Sequence, residues 1–331
     1  ALVCPLILIL RTGTGIEMAN NHPLLSIGPA REDAYASHPV VTCSAHVATP
    51  VVQAAESLVS QIVFTREVGH YWTGEPRIGK SFAIDLIAGT LASKFRDVLV
   101  QTWGAKDHDS KTEGNFYCDI LLDMGHGAVR GTMSDKRTDV IKTIIGRCRS
   151  ANCKYFVLMA DEAQNWGQFE LRMLKGIVND ILRLGEITVV TIFFAHPVVE
   201  TERTKMLRNN RTDLIDRFLA CRHDFGGIAN SEELKATLDA YDNPRRHQYP
   251  EDSGICFSQF FLPQSYKLGW RLGQEAHDAW KAFVRAAPLR VDHRTHTASM
   301  NSVAKAIRNF FFLAEDRQES SQFGADIWIS A

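Results

Sequence analysis

Charge of one sign is what this sequence lacks first: 37 Lys and Arg stand against 38 Asp and Glu, a formal net charge of −1. A strongly basic balance would have pointed directly to nucleic acid; without it, any DNA-facing surface has to be a local patch. Paired cysteines are missing too. The seven cysteines (Cys4, Cys43, Cys118, Cys148, Cys153, Cys221, Cys256) are odd in number and scattered, with no CxxC pair. That argues against a disulfide framework and a zinc site, and it suits a reducing cytoplasm. The 12 histidines form no HExxH or similar ligand spacing, so no structural metal is expected. No apolar run is long enough to cross a bilayer. The opening ALVCPLILIL is too short for a membrane helix and lacks the basic lead-in and cleavage site of a secretory signal. Residues 1–17 read as an upstream extension ahead of Met18, or else as a short packed strand or partner-binding segment. Internal repeats and low-complexity tracts are absent as well, and the sequence as a whole predicts a soluble, cytoplasmic protein.

What is present is enough apolar material for a sizeable core: 45% of the 331 residues are hydrophobic, which fits one large domain and a smaller one. Residues 18–45, rich in Pro, His, Ser and Ala, read as an irregular arm. From about Val47 to Phe64, apolar residues at helical spacing (Val51, Ala54, Ala55, Leu58, Val59, Ile62) predict an amphipathic helix. Tyr71-Trp72 reads as a short strand running into TGEPRIGKS, and SFAIDLIAGTLASKF as a helix. DVLVQTW (97–103), YFVLMA (155–160) and ITVVTIFFA (187–195) read as strands. Between them lie helical patterns near FYCDILLDM, in DVIKTIIGRCRS and in FELRMLKGIVNDILRL. Apolar strands separated by helices predict a parallel sheet covered on both faces. After about residue 226 the strand pattern stops; SEELKATLDAYD opens like a capped helix, and further helices are expected over 273–286 and 297–314. The expected division is an arm over 1–40, an α/β domain over 41–225, and a helical lid with a C-terminal segment over 226–331.

The strongest chemical signal is Gly74-Glu75-Pro76-Arg77-Ile78-Gly79-Lys80-Ser81, a complete GxxxxGK[ST] match between a short strand and a helix. Its glycines let backbone N–H groups face phosphate oxygens at the positive end of a helix. Lys80 can reach the β and γ phosphates, and the Ser81 hydroxyl can hold magnesium. ATP and Mg2+ are therefore the expected cofactors. About 80 residues downstream, YFVLMA ends in Asp161-Glu162-Ala163-Gln164. A buried strand delivers both carboxylates to the carboxyl edge of the sheet, where Asp161 would hold magnesium and Glu162 would polarise the attacking water. The strand ITVVTIFFA ends in His196-Pro197, which places His196 where a γ-phosphate or the attacking water can be contacted; a loop histidine without a role is the other reading. In the arginine-rich stretch Arg203, Lys205, Arg208, Arg211, Arg217, Arg217 of LIDRF closes the α/β core. It can protrude into the next subunit's site to neutralise transition-state charge, with Arg211 as the substitute candidate.

At this point the chain resembles AAA+ ATPases, and more narrowly the TnsC/TniB-type ATPases that accompany transposases in mobile elements. GEPRIGKS, VLMADEAQN, FFAHPVV and DLIDRF carry the resemblance, and FSQFFLPQSYKLGWRL (257–272) is similar to the lid region of that group. The resemblance spans roughly residues 40–275. It implies an AAA+ core followed by a small helical lid, Lys80 and Ser81 as phosphate and magnesium contacts, Asp161 and Glu162 as the acidic pair, His196 as the sensor and Arg217 as the finger. A Gln, Thr or Asn is more usual at the sensor position, so His196 departs from the pattern. The resemblance further implies slow ATP hydrolysis completed by a neighbouring subunit, rings or filaments around double-stranded DNA, and recruitment of a transposase and target-selection proteins.

Lys or Arg facing the lumen of such a ring has to meet phosphates. The segment between the P-loop and the Asp-Glu strand supplies Lys106, Lys111, Arg130, Lys136 and Arg137 as candidates; each taken alone reads more readily as a surface charge. Trp270, Trp280, Phe310, Phe311, Phe312 and Trp328 are expected to pack the lid, with Phe310–Phe312 as a partner patch in the alternative. Two further functions compete with a transposition regulator: a nucleotide-switched signalling or defence ATPase that assembles on proteins without DNA, and a scaffold that binds nucleotide but barely turns it over. The intact Lys80, Ser81, Asp161 and Glu162 set counts against the last.

Overall fold

The computed structural model describes residues 22–26, 28–127, 130–245, 247–286, 297–317, 320 and 322–331. The expectations placed on residues 1–17 and Met18 lie outside them. The chain divides into two compact units, residues 51–227 and residues 1–50 with 228–331.

The first unit is built on five parallel strands: β1 His70–Thr73, β2 Val98–Gly104, β3 Tyr155–Asp161, β4 Thr188–Ala195 and β5 Cys221–Asp224. Their order across the sheet is β2-β3-β4-β1-β5. The expected α/β core is borne out, and its apolar runs have a simple cause. Both faces of the central strands are buried, so alternate residues feed two cores. On one face Trp72, Val157, Met159, Val190, Ile192 and Phe194 pack with Val59, Ile62, Ile84, Ile87 and Leu91 of the helices Pro50–Thr65 and Lys80–Lys94. On the other, Tyr71, Phe156, Leu158, Phe193 and Ala195 pack with the helices Glu113–Asp123, Met133–Ser150 and Gln168–Gly185. Each fully buried side chain of this kind contributes roughly 1.5–3 kcal/mol. The helix Met133–Ser150 begins ahead of the expected Asp139 because Thr132 caps it. The Asp135 amide donates to the Thr132 hydroxyl (3.3 Å) and the Asp135 carboxylate accepts from the Thr132 amide (2.9 Å).

Strand β5 is the element that hydrophobic patterning misses. Its residues, CRHD, are polar and mostly exposed, and it pairs only with β1 at the sheet edge. An edge strand is specified by its neighbour's free backbone groups and needs no apolar run.

In the second unit the helices Ser231–Tyr241, Ala276–Ala286 and Met300–Ala314 form around Tyr241, Phe257, Phe260, Phe261, Trp270 and Phe310. The stretch read as an irregular arm carries a helix, Pro29–Ser37. Its one buried residue is Arg31, which donates to the Phe260 and Phe261 carbonyls (3.2 and 3.3 Å) and pairs with Glu315 (3.2 Å). A helix held by a buried guanidinium leaves no apolar stripe to read. Phe310, Phe311 and Trp328 are core residues, while Phe312 is 38% exposed and stacks on Tyr35 at 6.0 Å. Among the described residues no helix is long and apolar enough to cross a membrane.

Candidate functional site

The parallel register lines up the carboxyl ends of β1, β3 and β4. Thr73 pairs with Ala195 and Gly104 with Asp161, so the loops after these strands open on one edge. The Gly74 amide donates to the Ala195 carbonyl (3.1 Å), and the Phe225 amide donates to the Thr73 carbonyl (2.7 Å), fixing the start of the P-loop between two strands. A Cβ at Gly74 would lie 2.4 Å from the Phe225 carbonyl oxygen, so only glycine fits there. The loop then turns through left-handed backbone at Arg77 (φ 62°) and Gly79 (φ 108°), with Ile78 buried as its anchor. Gly79 caps the helix Lys80–Lys94 without a side chain, and the first turn of that helix holds no carboxylate. The positive helix end is thus left to an anion supplied from outside the helix. Glu75, Pro76 and Arg77 are exposed along the loop.

Lys80 is buried, and its ammonium donates to the Gly74 carbonyl (2.9 Å) and the Glu75 carbonyl (3.1 Å). Burial lowers its pKa below the ordinary lysine value, against the opposing pull of Glu162, Asp161 and Glu75. The Ser81 hydroxyl donates to an Asp161 carboxylate oxygen at 2.5 Å. Residues 80 positions apart thereby meet at one point. A hydroxyl and a carboxylate are the hard oxygen donors that magnesium takes, with its remaining positions left to water and phosphate, so the residues present fit that ion.

Glu162 follows in left-handed backbone (φ 53°), its amide donating to Asp161 Oδ1 (2.8 Å) and its side chain exposed. A non-glycine residue held there is strained, a feature that clusters at functional sites. The side-chain amide of Gln164 donates to Glu162 Oε2 (2.5 Å), while its carbonyl accepts from the backbone amide of His196 (2.8 Å). His196 Nδ1 accepts from the Val198 amide (3.2 Å), which leaves the proton on Nε2 facing Glu75 Oε2 at 3.4 Å. Glu75, Glu162, Gln164 and His196 thus form a connected rim around Lys80 and Ser81. Sequence reasoning gave Gln164 no role. Its only sequence signal is an amide two residues past a strand-end Glu.

Arg217 sits in the last turn of the helix Thr212–Phe218 and donates to Asn179 Oδ1 at 2.5 Å. It lies at the opposite edge of the sheet from its own P-loop: the Ala220 amide donates to the Gly69 carbonyl, just before β1, whereas Gly74 follows β1. Arg211 is held by Asp213 through Nε (2.9 Å) and Nη2 (3.1 Å).

Of the candidate DNA contacts, Lys106 pairs with Asp119 (3.3 Å) and Asp123 (3.9 Å), and Lys111 with Glu170 (3.4 Å). Arg137 pairs with Asp180. Lys106 and Lys111 come together with His108 and Asp119 in one cleft, while Arg130 is exposed and Lys136 half-buried.

No protein-family model matches the chain, and no curated protein matches its sequence. Several solved structures share its general course. The Aeropyrum pernix ORC2 protein, in its ADPNP-ADP complexes, is 14% identical at a TM-score of 0.47, over 87% of this chain and 73% of that one. Cdc6p from Pyrobaculum aerophilum is 12% identical at 0.44, over 80% of this chain and 61% of its own length. The Thermotoga maritima RuvB Holliday junction branch migration motor is 14% identical at 0.40, over 84% and 66%. None is similar enough in sequence to lend a residue role.

Proposed function

We propose that the chain is a magnesium-dependent ATPase of the AAA+ kind. The observation that carries this is the 2.5 Å meeting of Ser81 with Asp161 beside the buried Lys80, which joins the P-loop to the acidic strand end. In this reading the backbone of residues 74–79 and the Lys80 ammonium take the β and γ phosphates, and Ser81 and Asp161 hold magnesium. The ion, when bound, neutralises charge on the phosphate oxygens. Glu162 accepts a proton from the attacking water, and His196 lies at the tip of β4 within reach of Glu75 of the P-loop. The distance of Arg217 from its own P-loop supports a role completed between neighbouring copies. The decisive assay is phosphate release with and without magnesium. Lys80→Ala is expected to lose nucleotide binding, and Glu162→Gln to keep binding while turnover falls by about 10²- to 10⁴-fold. Magnesium-independent turnover overturns the proposal, and full activity in Glu162→Gln removes Glu162 as the base.

The finer reading, supported by the resemblance to TnsC/TniB-type ATPases, is an oligomeric regulator of transposition. It binds double-stranded DNA through a sequence-indifferent patch and recruits a transposase and target-selection partners. One observation favours the competing reading of a protein-partnered switch. Three of the five basic candidates, Lys106, Lys111 and Arg137, are already paired with carboxylates in their own chain. Imaging of Glu162→Gln with ATP, with and without duplex DNA, separates the two. Rings or filaments that need both ligands support the regulator, and assembly indifferent to DNA supports the switch.

A further inference from the structure

We infer that Gln164 is a positioning residue for the proposed hydrolysis: its side chain bridges the Glu162 carboxylate to the backbone of His196 and so sets the base relative to the tip of β4. The inference rests on the ATPase reading and deepens it.

The geometry fixes which end of the amide faces which partner. A backbone N–H can only donate, so the atom 2.8 Å from the His196 amide is the side-chain carbonyl oxygen. The NH2 group therefore faces Glu162, whose carboxylate oxygen Oε2 accepts at 2.5 Å. Each end of Gln164 meets the one kind of partner it needs, and a flipped amide would fail at both. The bridge engages one oxygen of Glu162 and leaves Oε1 to receive a proton.

The rest of the turn is pinned in the same way. Ala163–Asn165 forms a single 3-10 turn, the Asn165 amide donates to the Glu162 carbonyl (2.9 Å), and the Asn165 side chain donates to the Ala105 carbonyl (2.8 Å). Gln164 therefore projects from a turn anchored to both neighbouring strands, β2 through Ala105 and β4 through His196. The Glu162 side chain makes no capping hydrogen bond to the backbone of this turn, and the residue sits on strained backbone. Without Gln164 its exposed carboxylate is free to rotate among rotamers, and a misplacement of about 1 Å costs about 100-fold in rate. Because the same bridge ends on the residue whose ring meets Glu75 of the P-loop, a shift of the β4 tip is transmitted to the base through one side chain.

The test measures kcat, KM and the Kd of a fluorescent ATP analogue for the full chain and for Gln164→Ala, Gln164→Glu, Glu162→Gln and the double variant Glu162→Gln with Gln164→Ala. Thermal unfolding is recorded on each. Gln164→Ala is expected to lower kcat about 10- to 100-fold, with KM and Kd changed by less than about twofold. Gln164→Glu keeps the length but cannot donate to Glu162, so it should fall at least as far. A residue acting through Glu162 adds nothing once that carboxylate is gone, so the double variant should match Glu162→Gln within about twofold. Additive losses in the double variant, wild-type kcat in Gln164→Ala, or a kcat loss matched by lost nucleotide affinity and a lower Tm each overturn the assignment. A full chain without magnesium-dependent turnover removes the ATPase reading and this assignment with it, and turnover that ignores Glu162→Gln removes Glu162 as the base and this assignment alone. Turnover that depends on Glu162 but not on Gln164 removes this assignment alone.

Discussion

Arg217 offers the sharpest test of how the site is completed. The Ala220 amide bonds to the Gly69 carbonyl at one end of β1, and the P-loop leaves from the other end at Gly74. The five residue steps from Gly69 to Gly74, at about 3.3 Å each, separate these levels by roughly 16 Å, farther than an arginine side chain reaches. At that distance a unit charge pair is worth only about 1 kcal/mol even at an effective dielectric of 20, and salt reduces it further. A transition-state arginine is worth about 10³- to 10⁵-fold in rate, or roughly 4–7 kcal/mol, which needs direct contact. Under the proposed ATPase reading, Arg217 would supply that to a neighbouring copy, after releasing Asn179. Arg217→Ala is therefore expected to bind ATP normally while turnover drops by about 10³-fold or more. Mixing it with Lys80→Ala, which lacks a working phosphate site but keeps Arg217, should restore activity. In randomly mixed head-to-tail assemblies made of equal parts, roughly a quarter of the interfaces carry both intact halves. Phosphate release is read across mixing ratios, with co-assembly confirmed by size. Co-assembled mixtures no more active than the two variants measured apart would refute the argument.

Other predictions are simpler. Gly74→Ala puts a methyl 2.4 Å from the Phe225 carbonyl oxygen, so the first P-loop residue must shift; a stability loss of about 1–3 kcal/mol in urea unfolding and weakened ATP binding are expected. Unchanged affinity would show that the loop tolerates the shift. Ser81→Ala removes one of the two meeting oxygen donors and should raise the magnesium concentration needed for half-maximal turnover while leaving the Kd for ATP without magnesium unchanged. His38 is fully buried among Tyr249, Phe257, Phe260 and Phe261, and burial pushes its pKa down to about 3. Between pH 6.5 and about 3 the unfolded chain holds a proton that the folded chain refuses, so this stability is complete above pH 6.5 and falls as pH drops. The loss is about 2 kcal/mol at pH 5, and a His38→Phe variant should lack it when urea midpoints at pH 7.5 and 5 are compared.

The parts of the molecule that the sequence made legible share one property: a neighbour in the chain is enough to specify them. Strands β3 and β4 are mostly apolar runs because both their faces are covered, and the P-loop is a local motif whose glycines answer local demands, the Phe225 carbonyl at Gly74 and a φ of 108° at Gly79. Helix starts are nearly as local, although the reciprocal cap of Thr132 and Asp135 lies outside the hydrophobic pattern, which marks the helix only from Asp139.

What escaped depends on partners far away in sequence. The strand Cys221–Asp224 carries no strand-like signal, since the edge of β1 specifies it. The helix Pro29–Ser37 buries an arginine whose acceptors are the carbonyls of Phe260 and Phe261, so polarity that reads as solvent exposure is packing. Gln164 is the functional counterpart. In sequence it is one more polar residue after DEA, and nothing local distinguishes an amide in solvent from one held at both ends. Its meaning appears only when β3 and β4 are side by side, because one partner belongs to each strand's end. The same reasoning tempers the basic candidates. Lys106, Lys111 and Arg137 are indistinguishable in sequence from Arg130 and Lys136, yet the first three already answer carboxylates at Asp119, Glu170 and Asp180. Phosphate contacts made by those three would have to break existing pairs, whereas exposed Arg130 pairs with no carboxylate among the described residues. If a nucleic-acid patch exists between the P-loop and β3, its salt dependence should therefore follow Arg130 and Lys136 before the paired residues.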